Sequence, residues 1–267
     1  MDVSTTDPGR SRRFYSELFG WTYQIASRHG RERYMTASRD GRPVAGLAET
    51  AIPAGHPAAW TLYLASRNVK RTAQLLGGWG GQVLLGPTDG GQGSVLIGVD
   101  PTGSVIGFWQ PARPWTFGTI SPGSLYWAEL DTWDGVRADA FFANLFGYQQ
   151  RQIGYGIDVD YTTWSGKGQT MLGRLQMNRT WADPGCAAHW TLHFAVDPQI
   201  GTDAAADQVL ALGGRVDVDP YDTALGRIAR VADPYGAAFA LIDPTDWVDA
   251  AADLAAGSAR VDDPYDD

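Results

Sequence analysis

Three carboxylates and a set of tryptophans carry the chemistry this sequence could perform. Glu129 follows Trp127 by two residues, and Asp131 lies two further on. In an extended strand the three share one face. Asp2 and Ser4 occupy the corresponding places near the start of the chain, because the sequence repeats itself. A carboxylate held among aromatic rings has its neutral form favoured and can act as a general acid or base. Glu129 and Asp2 are therefore the candidate catalytic residues. The structural alternative is that Glu129 pairs with an arginine or stands at the rim of the site. Indole rings offer flat surfaces for planar apolar ligands. Trp60, Trp109, Trp127, Trp164 and Trp190, together with Asp131, are the candidate ligand-binding residues, against the alternative of core packing.

Other reactive side chains lack a supporting pattern. His193 is three residues after Trp190, which puts it on the opposite strand face, toward a helix layer, as a hydrogen-bonded core residue. Its partner in the repeat is Tyr63. His29, His56 and His189 sit in loops or at a strand edge, without ligand spacing or a nucleophile–His–Asp order. Cys186 is the single cysteine. It can form neither an internal disulfide nor a cysteine-based zinc site, and it precedes a strand with no matched base. The run Gly77–Gly81 follows a helix rather than opening one. It reads as a helix C-cap and turn, not a phosphate loop.

The elements that must position these residues come from a duplication. Phe14-Tyr15-Ser16-Glu17-Leu18-Phe19-Gly20-Trp21 matches Phe141-Phe142-Ala143-Asn144-Leu145-Phe146-Gly147-Tyr148 at an offset of 127. The same offset relates Tyr34 to Tyr161, Gly46 to Gly173, and Asp2 to Glu129. Ala59-Trp60-Thr61-Leu62 matches His189-Trp190-Thr191-Leu192 at offset 130, and Asp100-Pro101 matches Asp233-Pro234 at offset 133. Each copy divides again into a strand, a helix and three strands. In one quarter the strand covers 58–66, the helix 69–76, and the later strands 82–85, 94–99 and 104–110. In the next, the strand covers 125–130, the helix 135–145, and the later strands 149–152, 159–164 and 169–177. Alternation predicts the strands. Val136, Ala140, Phe141 and Leu145 on one face predict a helix.

The expected fold class is α+β, with four βαβββ modules. The first domain is 1–112, with modules 1–57 and 58–112. A linker follows at 113–123. The second domain is 124–246, with modules 124–184 and 185–246, and 247–267 is an acidic, disordered tail. The first strand reads as clipped beside its counterpart at 125–130, either as a short edge strand or because the natural start lies upstream.

A formal net charge of −9 over 267 residues argues against a nucleic-acid or anionic-membrane surface, which needs a basic face. No apolar run is long enough to span a bilayer, and the first residues lack the apolar segment of a signal peptide. The expectation is a soluble cytoplasmic protein, monomer or homodimer.

The sequence resembles the vicinal oxygen chelate superfamily, which unites glyoxalases, bleomycin-resistance proteins and ring-cleaving dioxygenases. The residues that carry the likeness are Asp7-Pro8, Phe14-Tyr15 and Leu18-Phe19-Gly20-Trp21, their repeat at Asp134 and Phe146-Gly147, and the two Asp-Pro-x-Gly turns. It covers residue 1 to about 246. The resemblance implies paired βαβββ modules curling into two cup-shaped mixed sheets with helices outside. In the metalloenzymes of the family each module supplies one ligand, His or Gln, from its first strand and one, usually Glu, from its last. Carried onto this sequence, the first-strand positions fall on Trp60, Trp127 and Trp190. The last-strand positions fall on Gly46, Gly107, Gly173 and Ala240. None of these side chains can coordinate a metal. The reading is a protein with no metal and no cofactor, whose bulky tryptophans face glycine or alanine where ligands would converge.

Three functions follow as expectations. The first is a binding protein for a small aromatic or apolar molecule in a tryptophan-lined cup, linked to antibiotic biosynthesis or resistance. The second is a metal-independent tailoring enzyme, an isomerase or hydroxylase type, with Glu129 as general acid or base. The third is a protein-interaction module.

Overall fold

The computed structural model describes residues 1–26, 34–53, 56–114, 117–154, 159–166, 169–223 and 225–244. His29 and the tail beyond 244 lie outside them. Within the described residues the chain runs four times through strand, helix and three strands. The first module contains β1 (Asp2–Thr5), α1 (Pro8–Phe19), β2 (Thr22–Ala26), β3 (Tyr34–Arg39) and β4 (Arg42–Glu49). The second contains β5 (Ala59–Thr61), β6 (Tyr63–Ala65), α2 (Val69–Gly78), β7 (Gln82–Asp89), β8 (Gly93–Val99) and β9 (Val105–Pro111). The third contains β10 (Leu125–Thr132), α3 (Gly135–Phe146), β11 (Gln149–Gly154), β12 (Tyr161–Gly166) and β13 (Gln169–Gln176). The fourth contains β14 (His189–Ala195), α4 (Gly201–Ala211), β15 (Arg215–Thr223), β16 (Gly226–Ala232) and β17 (Ala238–Pro244).

Local chemistry explains the repeated elements. Asp7, Asn68 and Asp134 each accept a hydrogen bond from a backbone N–H three residues on, which caps α1, α2 and α3. Helices α1 and α3 stop at Gly20 and Gly147, whose left-handed φ of 69° and 68° only glycine adopts without strain. At the two Asp-Pro-x-Gly turns, Asp100 and Asp233 each bind the backbone N–H groups two and four residues on. The glycine run 77–81 ends α2 as expected, with the Gly81 N–H bonded to the Leu76 carbonyl.

In every module the strand just before the helix (β1, β6, β10, β14) pairs in parallel with the last strand, and the strands after the helix pair antiparallel. The sheets are mixed and none closes into a barrel. Their orders are β2-β3-β4-β1-β5, β6-β9-β8-β7 and β11-β12-β13-β10-β14-β17-β16-β15. The strand expected over 58–66 is interrupted at Leu62, so the first two modules form two sheets where the last two form one. Strand β1 is short, but it is not an edge strand. It lies between β4 and β5.

Packing groups the described residues into two compact units, one within 1–61, 117–126 and 192–244, the other within 62–114 and 127–191. The first has an aromatic core of Tyr15, Phe19, Trp21, Trp60, Phe194 and Phe239. The second centres on Phe141, Phe142, Trp164 and Trp190. Repeat partners take the same places: Trp60 meets Tyr15 edge-on at 5.4 Å, and Trp190 meets Phe142 edge-on at 5.6 Å.

The second unit also buries a charge cluster. Arg174 on β13 is 3% exposed and contacts Asp139 of α3 at 2.8 Å and Asp160 at 2.7 Å. The Trp164 indole N–H donates to Asp139 at 2.7 Å. Burial works to raise the Asp160 carboxyl, but hydrogen bonds from Arg174 and Gln152 together hold it below its usual range. Removing one partner of a buried ion pair leaves an uncompensated charge. Arg174→Met should therefore lower stability by about 3 kcal/mol at pH 7 in urea denaturation. The contribution of Asp160 is present above the ordinary aspartate pKa and lost as pH falls through its depressed folded value. The gap between wild type and variant should accordingly narrow on acidification.

Candidate functional site

Strand β10 has two chemically different faces. Leu130 stands opposite Arg174 in the ladder with β13, and Arg174 reaches α3 through Asp139. Trp127, Glu129 and Asp131 alternate with that side and face away from the helix. Glu129 stands opposite Gly173. A Cβ on Gly173 would overlap the Tyr161 hydroxyl and come within 2.9 Å of the Trp127 indole nitrogen. The missing side chain is therefore the space that Tyr161 of β12 occupies.

The groups around Gly173 form a directed chain of hydrogen bonds. The Trp127 indole N–H donates to Tyr161 Oη at 2.8 Å, and the Tyr161 hydroxyl donates to Glu129 Oε2 at 3.0 Å. Glu129 is 6% exposed, so this donor stands in for much of the water it has lost. Burial first, and then the charge of Glu129, push the Tyr161 hydroxyl far above an ordinary phenol. Tyr161 is thus held as a donor across the working pH range. The arrangement can present a carboxylate base beside a fixed hydroxyl and a half-buried indole.

The first module repeats the motif. Tyr34 donates to Asp2 Oδ1 at 3.0 Å, Asp2 stands opposite Gly46, and a Cβ there would overlap both groups. The tyrosines were missed as site residues in the sequence, although they recur at the same offset as the carboxylates and the glycines. Asp131 is fully buried. It accepts from Thr191 Oγ1 at 2.7 Å and faces His189 Nε2 at 3.2 Å.

The remaining tryptophans are placed differently. Trp164 is fully buried, 4.6 Å from Phe142, and Trp190 packs on the same phenylalanine. Trp60 packs among Tyr15, Trp21 and Phe194. Trp109 is half-buried, with its ring over Gly90 and Gly93. The ladders correct the strand alignment. Tyr63 stands opposite Gly107 and His193 opposite Ala240, as Glu129 stands opposite Gly173. The counterparts of Trp127 are therefore Thr61 and Thr191. Trp60 and Trp190 are one residue out of step, which turns them onto the helix-facing side. For the same reason His193 lies on the Thr191 face, not toward the helix layer.

The fold invites a test for a metal. The positions that would supply ligands hold Trp127 and Gly173, with a tyrosine hydroxyl and one carboxylate beside them. An indole N–H is a donor only. Among the described residues no three His, Cys, Asp or Glu side chains converge as a metal would require. Around Gly173 itself the side chains offer one carboxylate and neither an imidazole nor a thiolate.

The packing around Gly173 leads to a measurable cost. Gly173→Ala has to displace the Tyr161 hydroxyl, and overpacking of this kind costs about 1–3 kcal/mol. Tyr161→Phe removes the donor to Glu129 and costs about 1–2 kcal/mol. Both act on one cluster, so the double variant should lose clearly less than the two single losses combined when urea midpoints are compared.

No family model matches the chain. The anthracycline biosynthesis protein DauV of a Streptomyces species is 31% identical over 268 residues, covering 95% of this chain and 95% of that protein. The Mycobacterium tuberculosis protein CFP32, which carries a glyoxylase name, is 31% identical over 250 residues, covering 91% and 93%. Among solved structures, the 2,3-dioxygenase LapB of a Pseudomonas species aligns with a TM-score of 0.59 at 15% identity, covering 91% of this chain and 90% of that one. The Mn(II)-bound glyoxalase of Novosphingobium aromaticivorans aligns with a TM-score of 0.59 at 14% identity, covering 91% and 80%. Four βαβββ modules, each closed by a parallel pair of the strand before its helix and its last strand, join relatives matched along nearly the whole chain in one conclusion: the protein belongs to the vicinal oxygen chelate superfamily.

Proposed function

We propose that this protein binds a small planar aromatic molecule without the help of a metal ion, in a natural-product pathway. One observation carries the reading. The space beside Glu129, where the superfamily's metalloenzymes bring ligands together, holds Gly173 and the Tyr161 hydroxyl that fills it. A half-buried indole at Trp127 lies next to that hydroxyl and offers a ring face. Trp60, Trp164 and Trp190 pack within aromatic cores. The binding surface reduces to Trp127, Tyr161 and Glu129, with Trp109 a separate aromatic surface; Asp131 is fully buried against Thr191 and His189. The class of ligand is supported by the relatives DauV and DnrV, both named as anthracycline biosynthesis proteins. Among the described residues no helix is long and apolar enough to cross a membrane.

A second reading is favoured by the 3.0 Å contact from Tyr161 to Glu129. In it Glu129 takes a proton from the bound molecule and Tyr161 stabilises the carboxylate, giving a metal-independent isomerisation or an allied tailoring step.

Native mass spectrometry and fluorescence titration with an anthraquinone test the first reading together. The expected result is binding that persists in excess chelator and weakens about ten-fold in Trp127→Ala. A stoichiometric divalent ion whose removal abolishes binding would overturn it. Glu129→Gln separates the two readings. A binder keeps its affinity, whereas an enzyme loses turnover by roughly 10²-fold or more.

A further inference from the structure

Cys186, to which the spacing of the sequence assigned no partner, meets one in space. Its loop is fixed from several directions. The Cys186 N–H bonds to the Asp183 carbonyl at 2.9 Å, and the Gly185 N–H bonds to the Asp183 carboxylate at 2.8 Å. The Trp133 indole N–H donates to the Cys186 carbonyl at 2.8 Å. This places Cys186 Sγ 3.8 Å from His189 Nδ1. The other ring nitrogen, Nε2, lies 3.2 Å from the fully buried Asp131 carboxylate. Thiol, imidazole and carboxylate thus stand in one row, all three within the second unit.

His189 has an acceptor beside each ring nitrogen. Nδ1 lies 2.9 Å from the Ala187 carbonyl, and Nε2 faces Asp131. Both neighbours are acceptors, so a ring protonated on both nitrogens can donate to each of them. The buried carboxylate of Asp131 also needs a positive partner. In its protonated form the Cys186 thiol also donates to the Ala187 carbonyl at 3.5 Å. A cation at contact distance from a half-buried sulfur favours the thiolate, the nucleophilic form.

We propose that Cys186, His189 and Asp131 form a second reactive site, a thiolate–imidazolium pair that captures soft carbon electrophiles of the α,β-unsaturated carbonyl class. The thiolate adds to the β-carbon and forms a C–S bond. The π pair of the alkene moves onto the carbonyl as an enolate, and water protonates the α-carbon. The product is a thioether, with no change in oxidation state and no co-reactant beyond the proton. His189 is a positioning and charge-balancing residue, and Asp131 holds it. This site stands on different atoms from the Trp127–Tyr161–Glu129 chain and does not require the binding function proposed above.

The test follows the rate of N-ethylmaleimide addition by intact mass at pH 7. With one cysteine in the chain, a single adduct reports Cys186 alone. The folded protein should react about ten-fold faster than the same chain unfolded in urea, whose thiol is mostly protonated at this pH. His189→Gln should slow the folded protein about ten-fold. The side chain of His189 is 41% exposed and a glutamine amide can still donate to Asp131, and circular dichroism verifies that the variant is folded. Cys186→Ser should form no adduct. A folded protein that reacts no faster than the unfolded chain, or a His189→Gln variant that keeps the wild-type rate, would overturn the proposal.

Discussion

The absent side chain at Gly173 is the constraint on which the candidate site rests. Parallel pairing of β10 with β13 puts that glycine opposite Glu129. Any larger residue would meet the tyrosine hydroxyl that now fills the space. A carboxylate as buried as Glu129 has to receive hydrogen bonds, and Tyr161 supplies one from the neighbouring strand. Tyr161 is itself oriented by the Trp127 indole. Each member fixes the next, so the group behaves as one preorganised unit. Tyr34, Asp2 and Gly46 repeat the arrangement in the first module. The motif therefore belongs to the module and not to one local accident of packing.

The other side of the same two strands explains the rigidity behind the site. Arg174 follows Gly173 and points the opposite way, into a cluster with Asp139 and Asp160. Asp139 also receives the Trp164 indole N–H, and Trp164 stacks toward Phe142 on α3. One face of β13 thus leaves room for a hydroxyl while the next residue ties the strand to the helix. Period-two alternation is what allows a polar site and a packed core to share one strand.

Membership of the vicinal oxygen chelate superfamily gives these observations their chemical weight. The fold brings the strand before the helix and the last strand of each module together in parallel, and that pairing is retained four times. In the third module the meeting point of these strands is Glu129 opposite Gly173. A tyrosine, a tryptophan and a carboxylate around a glycine supply hydrogen bonds and a flat ring.

Much of the architecture was legible in the residues themselves. The duplication shows as a direct match of residues at offsets near 130, and the modules and the end of α2 in the glycine run 77–81 rest on patterns of residues a few positions apart, so the sequence suffices to read them. The face of each strand was less legible. Trp60 and Trp190 differ from the cup-facing register by a single residue, and a slip of one reverses inside and outside. Only the ladders that set His193 against Ala240 and Glu129 against Gly173 resolve it. Tyr161 and Glu129 are 32 positions apart, and His189 and Asp131 are 58 apart, so no spacing rule links them. The sequence by itself determined the modules and supplied the reactive groups. Tertiary structure alone decided which of those groups meet, because strand pairing and register act between segments distant along the chain.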